Sequence, residues 1–173
     1  MALFYPTMYR RRITDVTVED VRRLGATGIL LDVDNTLTIH DAPDLTEAVK
    51  GWLDTMQAAG FSLIIVSNNK PARVQPFADR IGLSFHALAH KPMPAGFRAA
   101  AAQLGYPPEA CVAIGDQIFT DIMGANLSGM SSILLEPIQF ETEQKFIVFK
   151  RKVERLLLGS RRSKAKKEAD YRG

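Results

Sequence analysis

Apolar residues run along this chain in blocks that switch between continuous stretches and helical spacing. Residues 29–32 form an apolar run that closes on an aspartate. Residues 61–66 are nearly all apolar, and 85–89, 110–114 and 131–135 are further short runs. Such runs read as strands buried on both faces. Between them the apolar positions recur at helical intervals. Over 44–59 they are Leu45, Val49, Trp52, Leu53 and Met56, and similar patterns cover 72–81, 95–104 and 118–127. Gly60, Gly82 and Gly105 stand where three of these helices should stop. A short helix over 18–24 is announced by Thr17 as N-cap with Asp20 in the third helical position. A last, basic helix is predicted over 142–158. Strands alternating with helices through short connections predict an α/β fold with a central parallel sheet and right-handed crossovers on both faces. Ligands in such folds lie at the carboxyl ends of the strands.

Composition narrows the picture. With 173 residues, 46% apolar and 24% charged, the chain reads as one globular domain over 1–173. The core is expected over about 25–136, with a basic C-terminal helix and tail at 142–173. The single cysteine, Cys111, excludes an internal disulfide and a multi-cysteine zinc site, and reads as a core residue. No apolar run approaches the ~20 residues of a membrane span. No signal peptide is evident, so a cytoplasmic location is expected. The net charge of +3 is unevenly spread. Arg10, Arg11 and Arg12 form one cluster; Arg161, Arg162, Lys164, Lys166, Lys167 and Arg172 form another. Both read as solvated termini, or as attraction to an anionic membrane surface. Phe4, Tyr5 and Tyr9 beside the first cluster suit a membrane–water boundary or packing against the domain.

The chemistry gathers at the predicted strand ends. The first ends in Asp32-Val33-Asp34-Asn35-Thr36, the second in Ser67-Asn68-Asn69-Lys70. The third leads into His90-Lys91-Pro92, and the fourth into Gly115-Asp116 and on to Thr120-Asp121. Asp32 and Asp34 are two apart and share a face if the strand geometry continues. Taken alone, they are equally an Asp-Asn turn closing a strand. Paired carboxylates repel, and a divalent cation with a taste for hard oxygen, such as Mg²⁺, relieves the repulsion. Asp116 adds a third carboxylate. Asp121 could hold a metal-bound water or pair with Lys91. Ser67 and Lys91 suit phosphate oxygens. The set amounts to a kit for phosphoryl transfer.

In order and spacing these four stretches resemble the motifs of the haloacid dehalogenase (HAD) superfamily, phosphatase type, and the resemblance covers about residues 25–136. In finer detail, with Ala89-His90-Lys91-Pro92 and Phe4-Tyr5-Pro6, the chain is similar to subfamily IIIA, YqeG type. That branch includes the mitochondrial and plastid phosphatidylglycerophosphate phosphatases. The resemblance implies a HAD-like Rossmannoid three-layer sandwich. It implies Asp32 as nucleophile, Asp34 as general acid and then base, and Thr36 as a residue orienting Asp34 or the turn. Ser67 and Lys91 would bind the phosphoryl group. Asn68 would donate to phosphate, or serve only the turn. Mg²⁺ would be held by Asp32, the main-chain carbonyl of Asp34 and Asp116, with Asp121 supporting that shell.

The intervals from Thr36 to Ser67 and from Ser67 to Lys91 hold about one helix each, which leaves no room for a cap domain. An open site admits bulky phosphorylated substrates, a lipid headgroup among them. The leading expectation is therefore a Mg²⁺-dependent phosphomonoester hydrolase acting on phosphatidylglycerophosphate. A soluble or macromolecular phosphomonoester is the alternative. A silent module binding RNA or protein is disfavoured, because the acid, base, phosphate and metal residues are all present.

Overall fold

A computed structural model describes residues 3–39 and 44–138. The helix expected over 142–158 and the basic tail lie outside the described residues. The strands are β1 (Met8–Arg10), β2 (Gly28–Leu31), β3 (Ser62–Val66), β4 (Ser84–His86), β5 (Cys111–Gly115) and β6 (Ser131–Leu135). The helices are α1 (Val18–Arg23), α2 (Glu47–Ala58), α3 (Pro71–Ile81), α4 (Pro94–Leu104) and α5 (Met123–Ser128). The sheet has the order β1-β6-β5-β2-β3-β4, and every neighbouring pair is parallel. From β2 the chain steps outward to β3 and β4, then returns to the other side of β2 as β5. The strand order therefore reverses at β2, which is where an open parallel sheet leaves a crevice beyond its carboxyl edge.

Alternating strand residues build two cores. Ile29, Leu31, Leu63, Ile65, Val112 and Ile114 face α2 and α3 through Val49, Trp52, Leu53, Met56, Val74 and Phe77. Leu30, Ile64, Val66 and Ala113 pack on the other side with Phe97, Ala100 and Ala101 of α4 and Ala125 of α5. The result is the three-layer arrangement expected from the alternating pattern. Trp52 sends its indole N–H out of the first core to the Val16 carbonyl at 2.7 Å, so the buried ring leaves no donor unsatisfied. On the second side the helices pack very closely. A Cβ on Gly124 of α5 would run into the Phe97 ring, and one on Gly96 of α4 would run into the Ala89 carbonyl. Cys111 is a core residue, as expected, and burial pushes its thiol up to about 11.

Three features depart from the sequence pattern. The first is β1, which joins the sheet edge through Met8↔Ile133, Tyr9↔Leu134 and Arg10↔Leu135. Its three residues are only partly buried and carry no clean alternation. The pairing is decided by the open edge of β6. The aromatic N-terminal segment packs on the domain: the Phe4 ring meets Phe119 edge-on at 5.6 Å, and Tyr9 Oη donates to Glu136 Oε1 at 2.5 Å. Arg10 forks onto Asp20 of α1, with Nε to Oδ2 at 2.9 Å and Nη2 to Oδ1 at 2.5 Å. The second departure is the segment 118–127, which begins as a π-helical turn over Ile118–Ile122 before α5. The third is β4, which ends at His86 and leaves residues 87–89 in the loop that carries Lys91.

Candidate active site

The loops that follow β2, β3, β4 and β5 meet at the reversal point. Asp32 follows β2 directly, and its N–H still donates to the Ile114 carbonyl of β5 at 3.0 Å. The chain then folds back on itself. The N–H groups of Thr36, Leu37 and Thr38 all donate to the Val33 carbonyl, and the Asn35 N–H donates to Thr38 O at 2.7 Å. Asn35 takes φ +62, a left-handed conformation that asparagine tolerates better than most residues. This tight turn lays Thr36 over the first aspartate, and Thr36 Oγ1 donates to Asp32 Oδ2 at 3.3 Å. The hydroxyl expected to orient Asp34 or the turn is thus on Asp32. The turn also separates the two aspartates, because the strand geometry stops at Leu31. Asp34 faces the start of α3 and the loop before it, where Asn69 Nδ2 donates to its Oδ2 at 3.3 Å and Arg73 Nη2 lies 4.0 Å from its Oδ1.

The loop after β4 delivers Lys91. It is fastened to the loop after β3 by Leu88 N–H to Asn69 O and Ala89 N–H to Ser67 O, both 3.0 Å. Asn68 completes the fastening with its side-chain amide. Its Oδ1 accepts from the Lys91 N–H at 2.6 Å, and its Nδ2 donates to the Lys91 carbonyl at 3.2 Å. The residue expected either at phosphate or only in the turn is engaged with the main chain of Lys91. Leu88 and His90 have φ of +50 and +51, so this loop holds strain that its anchors must offset. Ser67 is buried, and its Oγ accepts from the Asn69 N–H at 3.1 Å.

Lys91 Nζ donates to Asp32 Oδ1 at 2.5 Å and to Asp121 Oδ1 at 2.7 Å. Asp121 sits in the π-helical turn, a type of distortion that recurs at functional sites. Its Oδ2 accepts from the Gln117 N–H at 3.0 Å. Its carboxylate lies where a Cβ on residue 115 would have to go, which explains the glycine. Side-chain exposures of 5% for Lys91, 4% for Asp121 and 14% for Asp32 leave Asp32 as the most open member of this group. Burial pushes Asp32 up to about 6; Lys91 pulls the other way, while Asp121 and Asp34 add to the push. Burial works against the Lys91 ammonium, but the Asp121 and Asp32 carboxylates outweigh it and hold Lys91 above the ordinary lysine value.

Asp32, Asp116 and Asp121 each present a carboxylate oxygen, and these oxygens lie within 4.8 Å of one another. The Lys91 ammonium contacts two of them, and the three carboxylates together make a set of hard oxygen donors. That donor set fits a divalent cation of the Mg²⁺ type. The side chain of Asp34 is not among the three, which leaves its main-chain carbonyl as the atom the sequence reading would use. Asn69 and Arg73 were not singled out by the sequence reading. Asn69 precedes the N-cap of α3 and Arg73 lies in its first turn, so no helical spacing links the two in sequence.

Comparison with known proteins agrees with this geometry. Residues 39–129 match the haloacid dehalogenase-like hydrolase family model. The probable phosphatase YqeG of Bacillus subtilis (strain 168) is 36% identical over 162 residues, covering 93% of each chain. The chloroplastic phosphatidylglycerophosphate phosphatase 1 of Chlamydomonas reinhardtii is 27% identical over 88% of this chain and 60% of its own length. Among solved structures, the cobalt-bound deoxy-D-mannose-octulosonate 8-phosphate phosphatase of Haemophilus influenzae superposes with a TM-score of 0.52. It is 12% identical and matches 79% of this chain and 89% of its own, a likeness of fold. The chain belongs to the haloacid dehalogenase-like hydrolases. Within that family it is a phosphatase, the enzyme class expected from its motifs.

Proposed function

We propose that the protein hydrolyses a phosphomonoester with Mg²⁺ through an aspartyl phosphate on Asp32, and that its substrate is phosphatidylglycerophosphate. The observation that carries the mechanism is the buried Lys91 ammonium shared by Asp32 and Asp121, beside Asp116 at the same strand ends. Asp32, Asp116 and the main-chain carbonyl of Asp34 would hold the cation, with Asp121 behind them. Bound there, Mg²⁺ supplies electrostatic stabilisation of the phosphoryl oxygens.

Asp32 is the most open of the acidic residues around Lys91 and is the nucleophile. Lys91 lowers the energy of its ionised form and faces the incoming phosphoryl group, with Ser67 at its side. A carboxylate oxygen of Asp32 forms a bond to phosphorus as the bond from phosphorus to the leaving oxygen breaks. Asp34 delivers a proton to that oxygen, and the alcohol departs. Asp34 then takes a proton from water, whose oxygen attacks phosphorus. The bond to Asp32 breaks, and inorganic phosphate leaves with Asp32 ionised again. Thr36 holds the free oxygen of Asp32 in place throughout, and Asn68 holds Lys91. The short connections among the described residues between Thr36 and Lys91 carry α2, β3, α3 and β4, which supports an uncapped mouth open to a lipid headgroup. The lipid substrate is supported by the Chlamydomonas reinhardtii relative, a phosphatidylglycerophosphate phosphatase. The basic termini support peripheral contact with an anionic membrane from the cytoplasmic side.

The test is phosphate release with Mg²⁺ from phosphatidylglycerophosphate in mixed micelles and from soluble phosphomonoesters, with Asp32→Asn as control. Release from the lipid well above the others, lost in the variant, is the expected result. Release from a soluble compound alone would discard the lipid and keep the mechanism. Undiminished release by Asp32→Asn would discard the nucleophile.

A further inference from the structure

We infer that the loop between β4 and α4 is a membrane-docking element, with Leu88 and Met93 entering the headgroup–acyl boundary of an anionic bilayer beside the active-site mouth. The choice of partner rests on the lipid substrate proposed above and on charge. This loop orders its side chains against the usual rule. Ala89 is 2% exposed, while Leu88 and Met93 are 45% and 59% exposed. Ala89 is held inward: its main chain packs on Gly96 so closely that a Cβ there would collide with it. The Ala89 N–H is fixed on the Ser67 carbonyl and the Leu88 N–H on the Asn69 carbonyl, which leaves the larger neighbour facing solvent. Leu88 also stands at φ +50, a conformation that suits glycine or asparagine better than leucine. Neither burial nor backbone preference accounts for a leucine at this position. A large apolar side chain exposed singly needs no explanation, but a contiguous set marks an interaction surface.

The set extends beyond the loop. Leu127 and Tyr5 are the other large apolar side chains exposed among the described residues. Ser128 Oγ donates to the Pro94 carbonyl at 3.5 Å, which brings the end of α5 beside Met93. Asn126 Nδ2 donates to the Tyr5 carbonyl at 3.0 Å. All four therefore lie on one line of neighbouring segments. That line starts at the mouth, where Asn69 accepts from the Leu88 N–H and donates to Asp34. Charge selects the partner. Between Asp54 and Glu109 the sequence holds one acidic residue, Asp79, near the C-terminal end of α3. The same stretch places exposed cations at Lys70, the N-cap of α3, and at Arg98 on α4. Arg98 Nη2 reaches the Leu127 carbonyl at 3.5 Å, so its charge borders the apolar line. An anionic bilayer takes up the apolar side chains and attracts the cations around them. Seated there, it also covers the uncapped mouth and keeps water from the reaction.

The experiment uses the full chain and vesicles without phosphatidylglycerophosphate, so that binding is read without turnover. Co-sedimentation is measured with vesicles of phosphatidylcholine mixed with phosphatidylglycerol. The double variant Leu88→Asn, Met93→Ser removes the apolar pair and suits the backbone. Asparagine accepts the left-handed conformation, and serine suits the N-cap position that Met93 holds on α4. Its Tm should not fall, and its affinity for the vesicles should drop about tenfold. Unchanged affinity would overturn the inference and leave any vesicle binding to the basic termini. A second measurement reads insertion directly. The emission of Met93→Trp should move to shorter wavelength on the vesicles and be quenched by lipids brominated in the acyl chain, over a constant background from the buried Trp52. Absence of quenching would overturn the inference. So would a dimer in solution that the double variant dissociates, since the face would then belong to a second copy of the chain. The substrate is judged separately. Vesicle binding that needs Leu88 and Met93, with no phosphate released from phosphatidylglycerophosphate, would discard the lipid substrate and keep the docking surface. Lipid phosphate released equally by wild type and double variant, with unchanged vesicle binding, would do the reverse.

Discussion

Replacing Lys91 by methionine removes the cation that the buried Asp121 and the half-buried Asp32 share, and keeps the length of the side chain. The wild-type ammonium sits 2.5 Å from Asp32 and 2.7 Å from Asp121, with side-chain exposures of 5%, 14% and 4%. Removing one partner of a buried ion pair typically costs ~3–5 kcal/mol, since the charge left behind is desolvated and unpaired. Two considerations place this site at the lower end. Asp32 is partly open, and its carboxyl, already pushed up to about 6 by burial, can escape further strain by taking up a proton. A loss of about 3 kcal/mol at pH 7 is expected, which for a chain of this size corresponds to a fall in Tm of roughly 6–12 °C. The assay is urea and thermal unfolding by circular dichroism, with a chelator present so that no cation replaces the ammonium. The sign with pH is also fixed. Losing Lys91 raises the folded pKa of Asp32 further above its unfolded value. The deficit from this carboxyl is then full above the variant's raised pKa and shrinks as pH falls toward the wild-type folded value of about 6. A loss below about 1 kcal/mol, or one that stays constant from pH 8 to pH 4.5, would refute the reasoning.

Other substitutions probe other parts of the molecule. Burial raises the Asp20 carboxyl, but the Arg10 fork and the Thr17 N–H outweigh it and hold it below its ordinary value. Its contribution is present above that ordinary value and fades as pH falls through the folded pKa. Arg10→Met should therefore lose about 1–2 kcal/mol at pH 7 and unfold at a higher pH on acid titration. Gly124→Ala drives a methyl into the Phe97 ring, and should lower stability by about 2 kcal/mol despite alanine's better helix propensity. Asp116→Asn should keep the fold and weaken the rise in Tm produced by Mg²⁺, with an apparent affinity reduced at least tenfold. An unaltered Mg²⁺ response in that variant would remove Asp116 from the cation site.

The sequence by itself determined the layers. Continuous apolar runs can be satisfied only by strands covered on both faces, and the helices between them had one apolar stripe each. The order of polar stretches then placed Asp32, Ser67, Lys91 and Asp116 at one edge, because every strand of a parallel sheet ends on the same side. Helix limits were legible from Thr17, Gly82 and Gly105, whose cap conformations depend on local chemistry alone. Tertiary structure decided the rest. Met8–Arg10 has no strand pattern of its own and became a strand because β6 offered an unpaired edge. Thr36 reached Asp32 because the turn closed on the Val33 carbonyl folds the chain back, where a strand would carry residue 36 away. Asn68 took hold of Lys91, and Arg73 came to Asp34, across 23 and 39 positions of sequence respectively. Spacing along a chain fixes which face a side chain takes within its own element. Which side chain it meets on another element is set by how those elements pack, and that information is not local.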